Sequence, residues 1–142
     1  MNNIPGDFAT LGQRQENAGL LRKAGVSVAL IGNAGGGDEE AFNVRNIKQE
    51  AGNAVSYGMT WDDALRAVTL TPAEVFGVAD RVGSLQPGRE GNVVVWSGDP
   101  FEFTTRVEHV LVRGREYNDK TRQDMLIERY RNLPGTHNTP AP

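Results

Sequence analysis

The chain has 142 residues, enough for one ordinary domain but short of the roughly 250 of a complete eight-stranded α/β barrel. Fifteen Lys and Arg against 18 Asp and Glu give a net charge of −3 with no long run of one sign, so the electrostatic footprint of a DNA or RNA binder is missing. Without Cys there are no disulfides, thiolate metal sites or cysteine nucleophiles, and the only imidazoles are His109 and His137.

Thr10-Leu11-Gly12-Gln13 reads as a reciprocal helix cap and predicts a helix over residues 11–24. Its apolar stripe is Leu11, Ala18, Leu20 and Leu21, with Arg14, Glu16, Arg22 and Lys23 outward and Gly25 as the left-handed stop. Residues 26–31, Val-Ser-Val-Ala-Leu-Ile, predict a strand covered on both faces, as in a parallel sheet. This longest apolar run is far below the roughly 20 residues that span a bilayer, and Met1-Asn2-Asn3-Ile4-Pro5-Gly6 has no basic start or apolar stretch. The expectation is a chain with no membrane span and no export signal of its own.

Four glycines, Gly32, Gly35, Gly36 and Gly37, follow that strand, with Asn33 among them and Asp38 after them. Such a loop can form an anion-binding nest, but it lacks the Gly-Lys-Ser/Thr ending of a P-loop, and Ala34 stands where a dinucleotide fingerprint has its second Gly. Taken alone, it is a flexible strand-to-helix connection. Asp38-Glu39-Glu40 could offer oxygen to a hard cation, or simply favour the positive end of a helix.

A second helix is predicted from residues 42–44 to Tyr57, stopped by Gly58. Two short ones follow at Trp61–Val68, capped by Thr60, and at residues 72–76, capped by Thr71 with Pro72 first and closed by Gly77. The texture then turns to short β signals: Gly83-Ser84-Leu85, a turn at Gln86-Pro87-Gly88, a strand at Val93–Trp96, a turn at Gly98-Asp99-Pro100 and a strand at Val107–Val112. Arg113-Gly114-Arg115 turns the chain into a brief return through Glu116 and Tyr117. Thr121-Arg122-Gln123-Asp124 opens a final helix with an apolar side of Met125, Leu126 and Tyr130, and residues 132–142 read as a disordered tail. His109 falls on one strand face with Val107 and Leu111, a packing or edge position, and His137 lies in the tail.

The run from Ala64 to Gly77, ALRAVTLTPAEVFG, followed by the run from Asp80 to Trp96, DRVGSLQPGREGNVVVW, resembles the C-terminal signature of the amidohydrolase superfamily. Asn17-Ala18-Gly19-Leu20-Leu21-Arg22-Lys23-Ala24-Gly25-Val26-Ser27-Val28-Ala29 is similar to the helix and eighth strand of its imidazolonepropionase-like members, so the resemblance spans roughly residues 5–131.

It implies an α/β fold. Residues 1–77 would be the last portion of a TIM-type barrel, 78–118 the strands of a composite β-sandwich, 119–131 a C-terminal helix and 132–142 the tail. It implies hydrolysis of C–N bonds by metal-activated water in a full-length parent, with zinc or another divalent metal, and a chain inactive by itself. The His-x-His pair and the other metal ligands would lie before Met1, so this chain would hold no metal. The expected partners are the remainder of the barrel or a second copy of the chain. Full-length relatives are often exported.

One departure stands out. Where the family carries, after strand eight, an Asp that binds metal and takes the proton of the attacking water, this chain has Ile31-Gly32-Asn33. Asn33 is the nearest equivalent, and an amide cannot act as a general base near neutral pH. Asp38 would have to reach in from five residues further on. The rival reading is a non-catalytic, self-associating α/β module derived from such an enzyme. A small ligand-binding domain using the glycine loop is a third.

Overall fold

The first helix buries its smallest residues. In the computed structural model, which describes residues 14–32 and 46–131, α1 spans Asn17–Lys23, and its buried residue is Gly19. A Cβ at Gly19 would sit 3.0 Å from the Gly58 and Met59 backbone, so the helix comes close only because that face is bare. The predicted stripe is therefore corrected: Leu20 and Leu21 are exposed, while Ala18 packs on the core and Arg22 is half-buried. The helix also starts later than predicted. Asn17 N–H bonds Arg14 O in a tight turn, and the capping pair Thr10 and Gln13 lies outside the described residues. Gly25 ends α1 as expected, at φ +84°, with its N–H on Arg22 O and Val26 N–H on Leu21 O.

Residues 26–31 do not form the predicted strand. They pair with no other strand among the described residues, and Leu30 N–H instead reaches Ala67 O, a carbonyl in the last turn of a helix, at 3.0 Å. Val28 and Leu30 turn inward to the core, while Ser27, Ala29 and Ile31 are exposed, Ile31 at 75%. The alternation is that of a strand, but helices cover only one face. No neighbouring strand is present among the described residues, so the ladder is missing.

Three helices form the layer under that segment: α2 (Ile47–Ser56), α3 (Trp61–Val68) and α4 (Leu70–Val75). The predicted start of α2 at residues 42–44 lies outside the described residues; the helix ends at Tyr57 and Gly58 as expected. Thr60 caps α3 as predicted, its Oγ1 accepting from Asp63 N–H at 3.1 Å. The third helix begins two residues before the predicted start: Thr71 is not its cap but a buried residue inside it, and Pro72 still falls in the first turn, where its missing N–H costs no helical bond. The core is Ala51, Ala54, Met59 and Ala64, flanked by Val28, Leu30, Val55, Val68 and Phe101. Alanine faces let the helices approach closely but bury little apolar area, and none of the largest side chains is fully buried among the described residues.

The sheet is antiparallel with order β1-β2-β3: β1 at Val93–Trp96, β2 at Val107–Val112 and β3 at Arg115–Glu116. Val94 faces Val110 and Val95 faces His109, with an irregularity between Val95 and Trp96. Arg113 (φ 51°) and Gly114 (φ 76°) form the two-residue hairpin turn that needs both central residues left-handed. The β signal read at Gly83-Ser84-Leu85 is corrected to bends and turns: Gly83 is at φ +92° against Ala73, a conformation no strand passes through.

A clasp ties sheet to helices. Trp61 Nε1 donates to both oxygens of Asp99, at 3.1 and 3.0 Å, and Asp99 Oδ1 also accepts from Phe101 N–H at 2.9 Å. The rings of Trp61 and Phe101 lie 5.5 Å apart, and Phe101 O would meet a Cβ at Gly52 at 3.1 Å. Lys48 of α2 adds a cation over Trp96 of β1, 5.5 Å from the ring centre. The Gly98-Asp99-Pro100 turn is thus an anchor as well as a connection.

The last helix, α5 (Arg122–Arg131), opens on the predicted cap. Asp124 N–H bonds Thr121 Oγ1 at 3.1 Å, and Thr121 N–H bonds Asp124 Oδ2 at 3.0 Å. No residue of α5 is buried, so Met125 and Tyr130 stay exposed. His137 and the predicted tail lie outside the described residues. None of the helices described is long and apolar enough to cross a membrane.

Candidate functional site

The glycine loop begins where residues 26–31 end. Of its predicted members only Gly32 is described, half-buried; Asn33, Gly35, Gly36, Gly37 and Asp38 lie outside the described residues. What the structure shows is the mount: Gly25 releases the chain from α1, Val28 and Leu30 seat it on the helical layer, and the Leu30 to Ala67 bond fixes it one residue before Ile31.

The other end of the segment carries charge. Arg22 Nε donates to Asp63 Oδ1 at 2.6 Å, joining α1 to α3 across 41 residues of sequence, and Thr60 Oγ1 holds Asp63 Oδ2 at 2.8 Å. Arg66 Nη2 pairs with Glu74 Oε1 at 2.6 Å, linking α3 to α4. A cleft of about 190 Å³ opens beside them, lined by Arg22, Ser27, Val28, Asp63, Arg66 and Thr71. Of the segment, Ser27 and Val28 line this cleft, whereas the predicted loop starts at Gly32 after its other end.

Sequence reasoning missed this cluster. Arg22 was expected to face solvent, and periodicity within one helix cannot name a partner 41 residues away. The Arg22 guanidinium, and next the Thr60 hydroxyl, hold the Asp63 carboxyl below its ordinary value of 3.8; Arg81 does the same for Glu90, below 4.5. Folded-state values under the unfolded ones mean stabilisation that is present above the unfolded values and lost as pH falls through the folded ones. Melting temperature is therefore expected to fall as the solution is acidified below about pH 4, and less steeply in Asp63→Asn. A scan in which wild type and variant show equal acid slopes would remove Asp63 from this account.

His109 Nδ1 lies 2.6 Å from Glu116 Oε1 across β2 and β3, both side chains exposed. That is an exposed cross-strand pair reaching from the middle strand of the sheet, neither the packing nor the edge position expected for His109. Among the described residues no three His, Asp or Glu side chains come together in a way that could hold a metal ion. The described residues therefore do not fit a metal centre.

The amidohydrolase family pattern matches residues 12–117, from before α1 to the end of β3. The chain belongs to the amidohydrolase family. Its likeness within the superfamily is to imidazolonepropionases: it is 35% identical to that of Erwinia tasmaniensis over 94 residues, covering 66% of this chain and 23% of the relative. It is also 33% identical over 77 residues to the amidohydrolase tasK of Hapsidospora irregularis, covering 54% of this chain and 8% of that one. An amidohydrolase structure from Thermotoga maritima superposes with a TM-score of 0.71 at 31% identity, covering 82% of this chain and 29% of that one. The chain thus spans about a quarter or less of the length of these curated relatives. The match takes in helices and sheet together and stops before α5, which agrees with the clasp joining them and with the exposure of α5.

Proposed function

We propose that this chain is the C-terminal portion of an amidohydrolase-type enzyme that hydrolyses C–N bonds, in a cyclic amide or peptide-like substrate, and that the isolated chain does not catalyse. Residues 1–77 supply the last α/β portion of the barrel, 78–118 the strand segment of a composite β-sandwich, and 119–131 a helix beside it. The loop from Gly32 to Asp38 lines the pocket, because in α/β barrels the loops after the strands do so. Asn33 occupies the place of the family's Asp, and Asp38 is the next carboxylate that could take a proton. Zinc or another divalent metal would be bound by residues of the remaining barrel, a role the described residues do not fill.

The observation that carries this reading is the half-covered segment at residues 26–31. Its inward residues are packed on helices, its outward residues and one edge have no partner among the described residues, and it leads into the loop that the family uses. A barrel strand has this layout when its neighbours are taken away. The test is amide exchange in the isolated chain and in a chimera in which residues 14–117 replace the matched segment of the Thermotoga amidohydrolase.

The isolated chain is expected to exchange fast at Ser27, Ala29 and Ile31 and slowly at Leu30, and the chimera slowly at all four. Slow exchange at all four in a monomer of the isolated chain would overturn the reading. Protection that grows with dimer concentration would favour the self-associating, non-catalytic module instead.

A further inference from the structure

The cleft at the Ser27 end carries a second inference, independent of the barrel. Thr71 is only 4% exposed and borders that cleft. A threonine hydroxyl in the wall of a cleft can donate to an acceptor bound there.

Two guanidinium groups flank it. Arg22 spends Nε on Asp63 and Arg66 spends Nη2 on Glu74, which leaves both terminal nitrogens of Arg22, and Nε and Nη1 of Arg66, without a protein acceptor among the described residues. Asp63 is the anionic side chain that borders the cleft, and its two oxygens are taken by Arg22 and Thr60. The lining residues Arg22, Arg66 and Asp63 sum to one positive charge, with Glu74, the partner of Arg66, outside the lining. At about 190 Å³ the cleft is smaller than the roughly 300–1,000 Å³ of pockets for drug-sized ligands. Size, charge and donor chemistry together select a small oxyanion, since arginine forks match its paired oxygens and a hydroxyl can satisfy a third.

We propose that the cleft between α1, α3 and α4 binds a phosphate-class oxyanion through Arg22, Arg66 and Thr71. Inorganic phosphate titrated into the ¹⁵N-labelled full chain is expected to shift the amides of Ser27, Arg66 and Thr71 along a saturable curve, with sodium chloride at matched ionic strength leaving them in place. Thr71→Val, which keeps the side chain's shape, and Arg66→Gln are each expected to weaken binding about ten-fold, the loss of one charge-assisted hydrogen bond.

Should Arg66→Gln fail to fold for want of its Glu74 link, Thr71→Val carries the test alone. A phosphate monoester that binds more tightly than the free ion marks a small phosphorylated molecule as the source, and equal or weaker binding marks the ion itself. Shifts that never saturate, that chloride reproduces, or that survive both variants unchanged would overturn the proposal.

Discussion

Asn33→Asp, made in the chimera with the Thermotoga amidohydrolase, is expected to raise kcat for C–N hydrolysis by about 10²–10⁴-fold, the usual contribution of a positioned general base. The argument is one of proton chemistry. An amide nitrogen is already a donor and its oxygen is not basic near pH 7, so in the place proposed for it Asn33 could orient water but could not accept its proton. Restoring a carboxylate at that place restores the acceptor. The check is kcat with KM measured separately, since a change confined to KM would mean that residue 33 only binds substrate. If Asn33→Asp leaves kcat unchanged while Asp38→Asn abolishes it, Asp38 is the base and the loop carries its carboxylate from five residues further on.

Gly83→Ala is expected to be the most damaging single substitution outside that loop. Gly83 sits at φ +92°, and a Cβ there would meet Ala73 Cβ at 2.7 Å, Thr69 O at 3.1 Å and Leu70 Cα at 3.2 Å. The left-handed backbone costs an L-residue about 1–3 kcal/mol, and forcing a methyl into packed backbone costs about 1–3 kcal/mol more. A loss of about 2–6 kcal/mol is a large share of a small domain's stability and should appear as a cooperative unfolding transition shifted to much lower denaturant. Gly88→Ala is the control: φ is +86° but no atom lies within 4 Å, so only the backbone cost remains. Equal effects at the two positions would mean that the close approach of Gly83 to α4 is not what fixes that turn.

The elements that could be read from the sequence are those whose cause is local. Thr60 and Thr121 cap their helices, Gly25, Gly58 and Gly77 stop theirs, and β1 and β2 stand where the apolar runs placed them. What could not be read depends on partners far along the chain. Leu20 and Leu21 look like a core stripe, yet α1 packs through Gly19 because the Gly58 backbone needs the space.

Residues 26–31 have strand composition, but pairing is a property of neighbours, and helix α3 captures Leu30 N–H instead. Thr71 resembles a cap because Pro72 follows it; the helix starts at Leu70, and Thr71 is buried within it beside a cleft. The Arg22 to Asp63 bridge left no local mark at all, since each residue is ordinary in its own helix. As for the predicted site, its family could be read from residues 64–96, whereas the chemistry proposed for it would rest on Asn33 and Asp38, beyond the described residues.

The most direct test of the central claim is divalent metal content by mass spectrometry, paired with hydrolysis of a dipeptide and a cyclic amide, for the isolated chain and for the Thermotoga chimera carrying Asn33→Asp. The account predicts that the isolated chain holds no stoichiometric metal and turns over neither substrate, and that the chimera holds metal and hydrolyses at least one of them. Stoichiometric metal and turnover in the isolated chain would contradict it, because this chain would then carry a complete centre of its own.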